Sequence, residues 1–183
     1  MKNTIVGLLV SLMLLSGNLG AKVPVTQSQK LRLTDNWEFL RQDVGNIWEL
    51  VRPMKVGQPE GSPIWTKVTL PHCFNAEDAV DPDVNYYQGP GWYKTQLTID
   101  NPYKNGRILL EFEGAGQKTD VYIYMTKVAG HTGGYDSWNV DITDAVNTFL
   151  SSKEAERFGG RVPLSIRCDN TRDAEMIPSD LSD

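Results

Sequence analysis

Glu111 and Glu113 stand two apart on a run that reads as a β-strand. That puts both carboxylates on one face, about 6.5–7 Å apart. The separation is near the one that two carboxyls keep when they act from opposite sides of a bond with a water between them. Neighbours on one strand face point in parallel, however, and cannot close on a bond from both sides. A solvated face or a local hydrogen-bonding role is the favoured reading. Asp81, Asp83 and Asn85 imitate the start of a calcium loop. The sixth place holds Tyr86 where glycine is required, and the twelfth holds Trp92 rather than Glu, so calcium is not expected there. His72 beside Cys73, with His131 alone, gives too few ligands for zinc, and no metal or cofactor is implied. His72 reads as a hydrogen-bonded structural histidine. Of the two cysteines, Cys73 and Cys168, the latter falls on the apolar phase of a strand and favours a buried free thiol over a bridge.

The aromatics offer different chemistry. Tyr86 and Tyr87 precede Gln88-Gly89-Pro90-Gly91, and Trp92 and Tyr93 follow it; Trp138 comes soon after Gly133-Gly134-Tyr135. Sugars present flat C–H faces that stack on aromatic rings, and side-chain amides and carboxylates take their hydroxyls. Rings in loops that end β-strands suit that task. The competing reading is plain core filling, since Trp and Tyr also pack β-sandwiches.

The elements that would position these residues are strands. Tyr93, Thr95, Leu97 and Ile99 alternate with Lys94, Gln96 and Thr98; Trp138, Val140 and Ile142 alternate with Asn139 and Asp141. Val162, Leu164, Ile166 and Cys168 alternate with Pro163, Ser165 and Arg167. Each period-two run has one face for a core and one for water. Arg107–Phe112 and Asp120–Tyr124 are more uniformly apolar, as central strands covered on both faces would be. Gly/Pro/Asn/Asp clusters separate the runs, and 52–62, with two Pro and two Gly, reads as a surface loop. Helix is sparse: Asp144–Ser152 makes about two turns, with Thr143 as N-cap. Pro163 suggests an edge strand or a strand's first residues. Short strands with frequent turns predict an all-β fold, an antiparallel sandwich or barrel.

Length and charge narrow the function classes. At 183 residues with net charge −5, 40% hydrophobic and 22% charged, the chain reads as one ordinary globular domain. It is short for a (β/α)₈ barrel, which takes about 250 residues. Mild acidity without clustered basic residues argues against nucleic acid. Lys2, the apolar run Ile5–Leu15 and the small residues up to Ala21 predict a secretory signal peptide over 1–21, the run being too short to span a membrane. Its removal leaves 162 residues with net charge −6, in a periplasm or outside the cell. Residues 22–36 then form a lead-in and 37–183 the domain.

The motifs also come in a telling order. Trp65-Thr66-Lys67-Val68-Thr69-Leu70-Pro71-His72-Cys73-Phe74-Asn75 is followed by Gly89-Pro90-Gly91-Trp92-Tyr93-Lys94 and Leu110-Glu111-Phe112-Glu113-Gly114-Ala115. Then come Val121-Tyr122-Ile123-Tyr124, His131-Thr132-Gly133-Gly134-Tyr135 with Asp141-Ile142-Thr143, Arg167-Cys168-Asp169-Asn170, and Ile177-Pro178-Ser179. From about Trp37 to Asp183 the chain resembles the N-terminal sugar-binding domain of glycoside hydrolase family 2, the family of β-galactosidases, β-glucuronidases and β-mannosidases. The resemblance implies a jelly-roll β-sandwich of the galactose-binding type. It also implies a place at the front of a larger enzyme whose barrel carries both catalytic glutamates. Nothing in this sequence matches those glutamates, so no catalytic residue is assigned. Asp183 matches an aspartate that in some members reaches the barrel's pocket and helps hold the sugar. Gln88 falls near a position where some members place a pocket-facing asparagine. With Trp92 as a stacking ring, these are the candidate substrate-binding residues, for a carbohydrate of β-galactoside or β-glucuronide type. His131 and Tyr135 match a motif read as structural, in which Gly133 and Gly134 permit a tight backbone and Tyr135 packs.

One departure stands out. Tyr124-Met125-Thr126-Lys127 replaces the family's usual Asn-Gly turn, so the hairpin must close otherwise, and a surface Tyr and Met there would contact a neighbouring domain. Three functions remain open. The preferred one is a fragment of an exported family 2 glycosidase, inactive without its barrel, the missing barrel being its partner. The others are a stand-alone carbohydrate-binding module and a scaffold or interaction domain without sugar affinity.

Overall fold

The computed structural model describes residues 28–51, 64–81, 83 and 85–172. The predicted signal peptide, the 52–62 loop, Ile177-Pro178-Ser179 and Asp183 lie outside them. Of the two units into which the chain divides, Met1–Lys30 has no strand or helix among its described residues, and Leu31–Asp183 holds the fold.

Antiparallel strands dominate, as the alternation predicts. A six-stranded sheet has the order β2 (Thr66–Val68), β1 (Trp37–Leu40), β3 (Pro90–Leu97), β8 (Val162–Asp169), β5 (Lys118–Ile123), β6 (Thr126–Thr132). A second sheet pairs β4 (Leu109–Phe112) with β7 (Trp138–Asp141). The inward phase of β8, Val162, Leu164, Ile166 and Cys168, is buried together with Tyr93, Leu97, Val121 and Ile123. Val140 from the small sheet and Val146 and Phe149 from α2 (Thr143–Leu150) complete this cluster. Burial pushes the Cys168 thiol up to about 11, so it is held as an inert apolar side chain. The outward phase of β3 is covered too: Trp92 packs with Leu40, Trp65 and, from α1 (Trp48–Val51), Leu50 and Val51. Lys94 is buried on this face, its Nζ 4.0 Å from the centre of the Trp65 ring and 3.4 Å from Glu38. Burial lowers its pKa against the opposing pull of Glu38.

Two expectations need correction and two are narrowed. Arg107–Phe112 is not a central strand covered on both faces: β4 lies in the two-stranded sheet and Leu109 is exposed. Of the two readings of Pro163, a place among the strand's first residues holds and an edge does not, because β8 lies between β3 and β5. It is the second residue of that strand, and its carbonyl accepts from Tyr124 N at 2.8 Å. The N and O of one residue face the same neighbour in an antiparallel sheet, so the missing N–H faces the point where the β5 ladder has already ended. Thr143 is not an N-cap but the first helical residue of α2; the Asp141 carboxylate accepts from its amide at 3.0 Å and its hydroxyl at 2.6 Å. Tyr124 and Met125 of that turn are half-buried against their own domain rather than fully open. Tyr124 adopts φ 55° and packs on Phe149 and Phe158, at 5.2 and 5.9 Å, while Met125 lies against the outer cluster.

Asp141 ties three elements. It takes both Thr143 groups at the start of α2 and pairs with Arg107 before β4, while Thr143 Oγ1 accepts from Ile108 N at 2.8 Å. The Thr143 hydroxyl first, then its amide and Arg107, hold the Asp141 carboxyl down at about 2, against an ordinary 3.8. The folded form therefore prefers the ionised carboxylate. This contribution is complete above pH 3.8 and is lost as pH falls through about 2. Urea unfolding of the wild type and Asp141→Asn should converge as pH drops from 5 toward 2; parallel stability profiles would show that the carboxylate contributes nothing. In the core, Leu164→Ala should cost about 2–5 kcal/mol by the same measurement.

Candidate functional site at one end of the sheet

Register decides which loops meet. Pro90 pairs with Asp169, Asp169 with Lys118, and Lys118 with Thr132, so β3, β8, β5 and β6 come level at one end. Gln88 lies just before β3 at this end, Asn170 just after β8, and Tyr135 just after β6. Phe112 pairs with Trp138 in the small sheet, and a Cβ on Gly114 would lie 3.4 Å from Gly134 O, which brings 113–117 to the same end. The opposite end carries the 124–125 turn and the start of α2.

Beneath Gln88 is a polar network that ties this end together. Asp78, its side chain 2% exposed, pairs with Arg41 and accepts from Asn75 Nδ2 and from Tyr87 N, each at 2.9 Å. Asn170 Nδ2 donates to Asn75 Oδ1 at 2.8 Å and to Tyr87 O at 2.9 Å, and its Oδ1 accepts from Gly89 N at 2.8 Å. The Tyr87 hydroxyl donates to Pro90 O at 2.8 Å, and the Arg41 guanidinium lies 4.9 Å from the centre of its ring. Gly89 takes φ +151°, and a Cβ there would sit 2.9 Å from the Tyr87 hydroxyl, so only glycine fits. The Tyr87 amide, helped by Arg41 and Asn75 and opposed by burial, keeps the Asp78 carboxyl below its ordinary range. The loop behind Gln88 is thus fixed by backbone contacts, while Gln88 itself is exposed.

A second polar set flanks it. Trp92 Nε1 donates to Asp43 Oδ1 at 2.9 Å, and Arg167 spans Asp43, at 3.6 Å, and Asp169, at 3.0 Å. Asp169 also accepts from the Thr171 amide and hydroxyl at 2.9 and 2.6 Å. Burial raises the Asp169 carboxyl, but the Thr171 groups and Arg167 outweigh it and leave it below the ordinary value.

The three candidate substrate residues fare differently. Gln88 is presented to solvent at this end. Trp92 is 3% exposed and lies against Tyr122 at 5.5 Å; its ring is core with a polar edge holding Asp43, not an open stacking face. Asp183 lies outside the described residues. Trp138 stacks on Phe112 at 4.3 Å and on His131 at 4.5 Å, so its ring is already occupied. Tyr135 corrects a further expectation: it does not pack but is 101% exposed. The glycine reading of that motif stands at Gly133, where φ is +136° and a Cβ would fall 2.5 Å from Asp136 Oδ1. Glu111 and Glu113 are exposed, Glu113 in an ion pair with Arg32. His72 is the structural histidine the sequence suggests, its Nδ1 2.9 Å from the Tyr93 hydroxyl. The sequence reading missed Arg41 and Asp78; Asn75 and Asn170 stood within quoted motifs, but nothing local showed that they bond each other across 95 residues. Asn170→Ala leaves Gly89 N, Asn75 Oδ1 and Tyr87 O without this partner. It should lower stability by about 1–3 kcal/mol in urea unfolding and speed hydrogen exchange at 85–89; unchanged exchange there would show that the network does not hold the loop.

Comparison with known proteins agrees with this architecture. The sequence model for glycosyl hydrolases family 2, sugar binding domain, matches residues 29–154. The crystal structure of Parabacteroides merdae β-glucuronidase with glycerol in its active site aligns with TM-score 0.79 and 74% identity, over 85% of this chain and 20% of that one. Bacteroides uniformis β-glucuronidase 3 aligns with TM-score 0.80 and 66% identity, over 85% and 20%. Bacteroides fragilis β-glucuronidase is 28% identical over 152 residues, 83% of this chain. A Formosa agariphila relative is 33% identical over 154 residues, and the chain spans only 16% of the Formosa relative's length and 18% of the Bacteroides fragilis one's. The chain belongs to glycoside hydrolase family 2, through that family's sugar-binding domain.

Proposed function

We propose that this chain supplies the front module of an exported family 2 glycoside hydrolase of the β-glucuronidase type, and that it works by completing a site whose catalytic groups lie elsewhere in the polypeptide. The observation that carries this reading is the 74% identity to Parabacteroides merdae β-glucuronidase across 85% of the chain. The substrate is a β-glucuronide. Gln88 contacts it from a loop fixed from behind, Asp183 adds a carboxylate, and Trp92 acts from within by holding Asp43, which pairs with Arg167. The two sheets, which share one core, form the layers of a jelly roll. A free-standing carbohydrate-binding module has less support, because the rings of Trp92 and Trp138 are already packed against protein.

A chimera in which residues 22–183 replace the matching segment of the Parabacteroides merdae β-glucuronidase tests this. It should hydrolyse p-nitrophenyl β-D-glucuronide in preference to the galactoside. Gln88→Ala should raise KM roughly fivefold, the loss of about one hydrogen bond. A folded chimera without glucuronidase activity would sink the reading. Export through residues 1–21 is part of the same proposal. Mass spectrometry of the exported protein should find Lys22 at the N-terminus, and an intact Met1 on protein retained in the cytosol would contradict it.

A further inference from the structure

We infer that one buried water molecule links Gln117 to Trp138 beneath the 133–136 loop and so ties the two sheets together at this end. Among the described residues, three buried side-chain polar atoms have no protein hydrogen-bond partner: Gln117 Oε1, Trp138 Nε1 and Ser165 Oγ. Buried polar atoms are nearly always satisfied by protein or by ordered water, because a bare one is costly. Ser165 lies apart, on the outer face of the large sheet, in register with Lys94 and Tyr122. Two other tryptophans show what the Trp138 indole lacks. Trp37 Nε1 donates to Leu33 O at 3.1 Å, and Trp92 Nε1 donates to Asp43 Oδ1 at 2.9 Å.

Register puts the remaining two atoms in one layer. Thr119 pairs with His131, and Gly133 N donates to Gln117 O at 2.9 Å, so the ladder continues past β5 and Gln117 is the diagonal neighbour of His131. Gln117 stands two residues from Thr119 and so shares its face, and Thr119 is 1% exposed on the core side. The His131 ring in turn lies on Trp138, with centroids 4.5 Å apart and planes 14° from parallel. Diagonal neighbours on one sheet face lie within reach of long side chains. Backbone closes the layer from above: a Cβ on Gly134 would lie 3.6 Å from Gly116 O, and one on Gly114 3.4 Å from Gly134 O. The two atoms also specify their occupant. The indole N–H only donates and the amide oxygen only accepts, so the first disfavours a cation and the second an anion. Both are shut from bulk solvent, and the smallest neutral molecule that accepts from one while donating to the other is water. It bridges the start of β5 in the large sheet to the start of β7 in the small one. The site is made by this chain's own residues and stands independently of the proposed function.

Magnetisation transfer from water to the indole protons, read by NMR on the 183-residue chain with isotope-labelled tryptophan, tests the site. The Trp138 indole proton, assigned by its loss in Trp138→Phe, should show a cross-peak to water with the sign of a long-lived contact. Gln117→Met keeps the side chain's length and removes the acceptor. It should abolish that cross-peak and speed amide exchange at 133–136 about tenfold. A crystal structure of the chain should place one water oxygen about 2.7–3.2 Å from both Gln117 Oε1 and Trp138 Nε1. A direct bond between the two side chains, separate waters on each, or no cross-peak in the wild type would overturn the inference. So would a cross-peak that survives Gln117→Met undiminished, because the water would then not need Gln117. Unchanged exchange at 133–136 in that variant would overturn the tie between the sheets. If Gln117→Met does not fold, the wild-type cross-peak and the crystallographic position decide the matter.

Discussion

The pairing of β8 with β3 on one side and β5 on the other fixes most of what this domain can do. Its inward residues, from Val162 to Cys168, are the centre of the main core, and its outward Arg167 and Asp169 reach Asp43 and Thr171. A slip of one residue would exchange these faces, putting Arg167 in the core and Ile166 among carboxylates. The register is therefore strongly specified by hydrophobicity alone. Because β8 pairs on both sides, the same register sets where the neighbouring strands end. The placement of the loops at that end is a consequence of core packing in the middle of the sheet.

That end is then secured by polar rather than apolar contacts. Gln88 is exposed and could sample many positions, but the residues on either side of it cannot. Tyr87 is held through its amide, carbonyl, hydroxyl and ring, and Gly89 through its amide. Asp78 and Asn75 are buried, so each bond they make is strengthened by poor access of water and each bond lost would be costly. The loop is pre-organised, and the entropy of fixing it is lost at folding rather than at binding.

Much of the fold was legible in the sequence because period-two alternation reports one buried face directly. β3, β7 and β8 follow the alternating residues closely, and β5 emerged from its apolar run. What failed was whatever depends on a distant neighbour. An apolar run such as 107–112 reads alike in the middle of a large sheet or in a two-stranded one; only long-range pairing decides. Thr143 looked like a cap because its type suits one, but the helix begins at Thr143 itself, and Asp141, one residue outside the Ile142 cap position, accepts from its amide. Tyr135 looked like packing because tyrosine usually packs, while in the fold it is His131 and Trp138 that stack on each other and Tyr135 that is left exposed. At the site, Gln88 was found through family resemblance; the Asn75–Asn170 bond that governs its loop spans most of the domain and leaves no local pattern.

Sugar recognition by this domain is constrained by what its aromatic rings are already doing. Stacking needs an open face, and Trp92 and Trp138 give theirs to Tyr122, Phe112 and His131. Of the exposed groups at the loop-bearing end, Tyr86 and Gln88 share the loop before β3 and Tyr135 lies on the loop after β6, and no ring contact joins Tyr86 to Tyr135. Small-molecule sites are concave and bury most of their ligand. Under the proposed function, a strand end with well-fixed loops supplies one wall of such a site, and the rest of the polypeptide supplies the others. The same features that leave this domain few open stacking faces, packed tryptophans and a fixed polar network, suit it, under the proposed function, to complete a pocket rather than to form one alone.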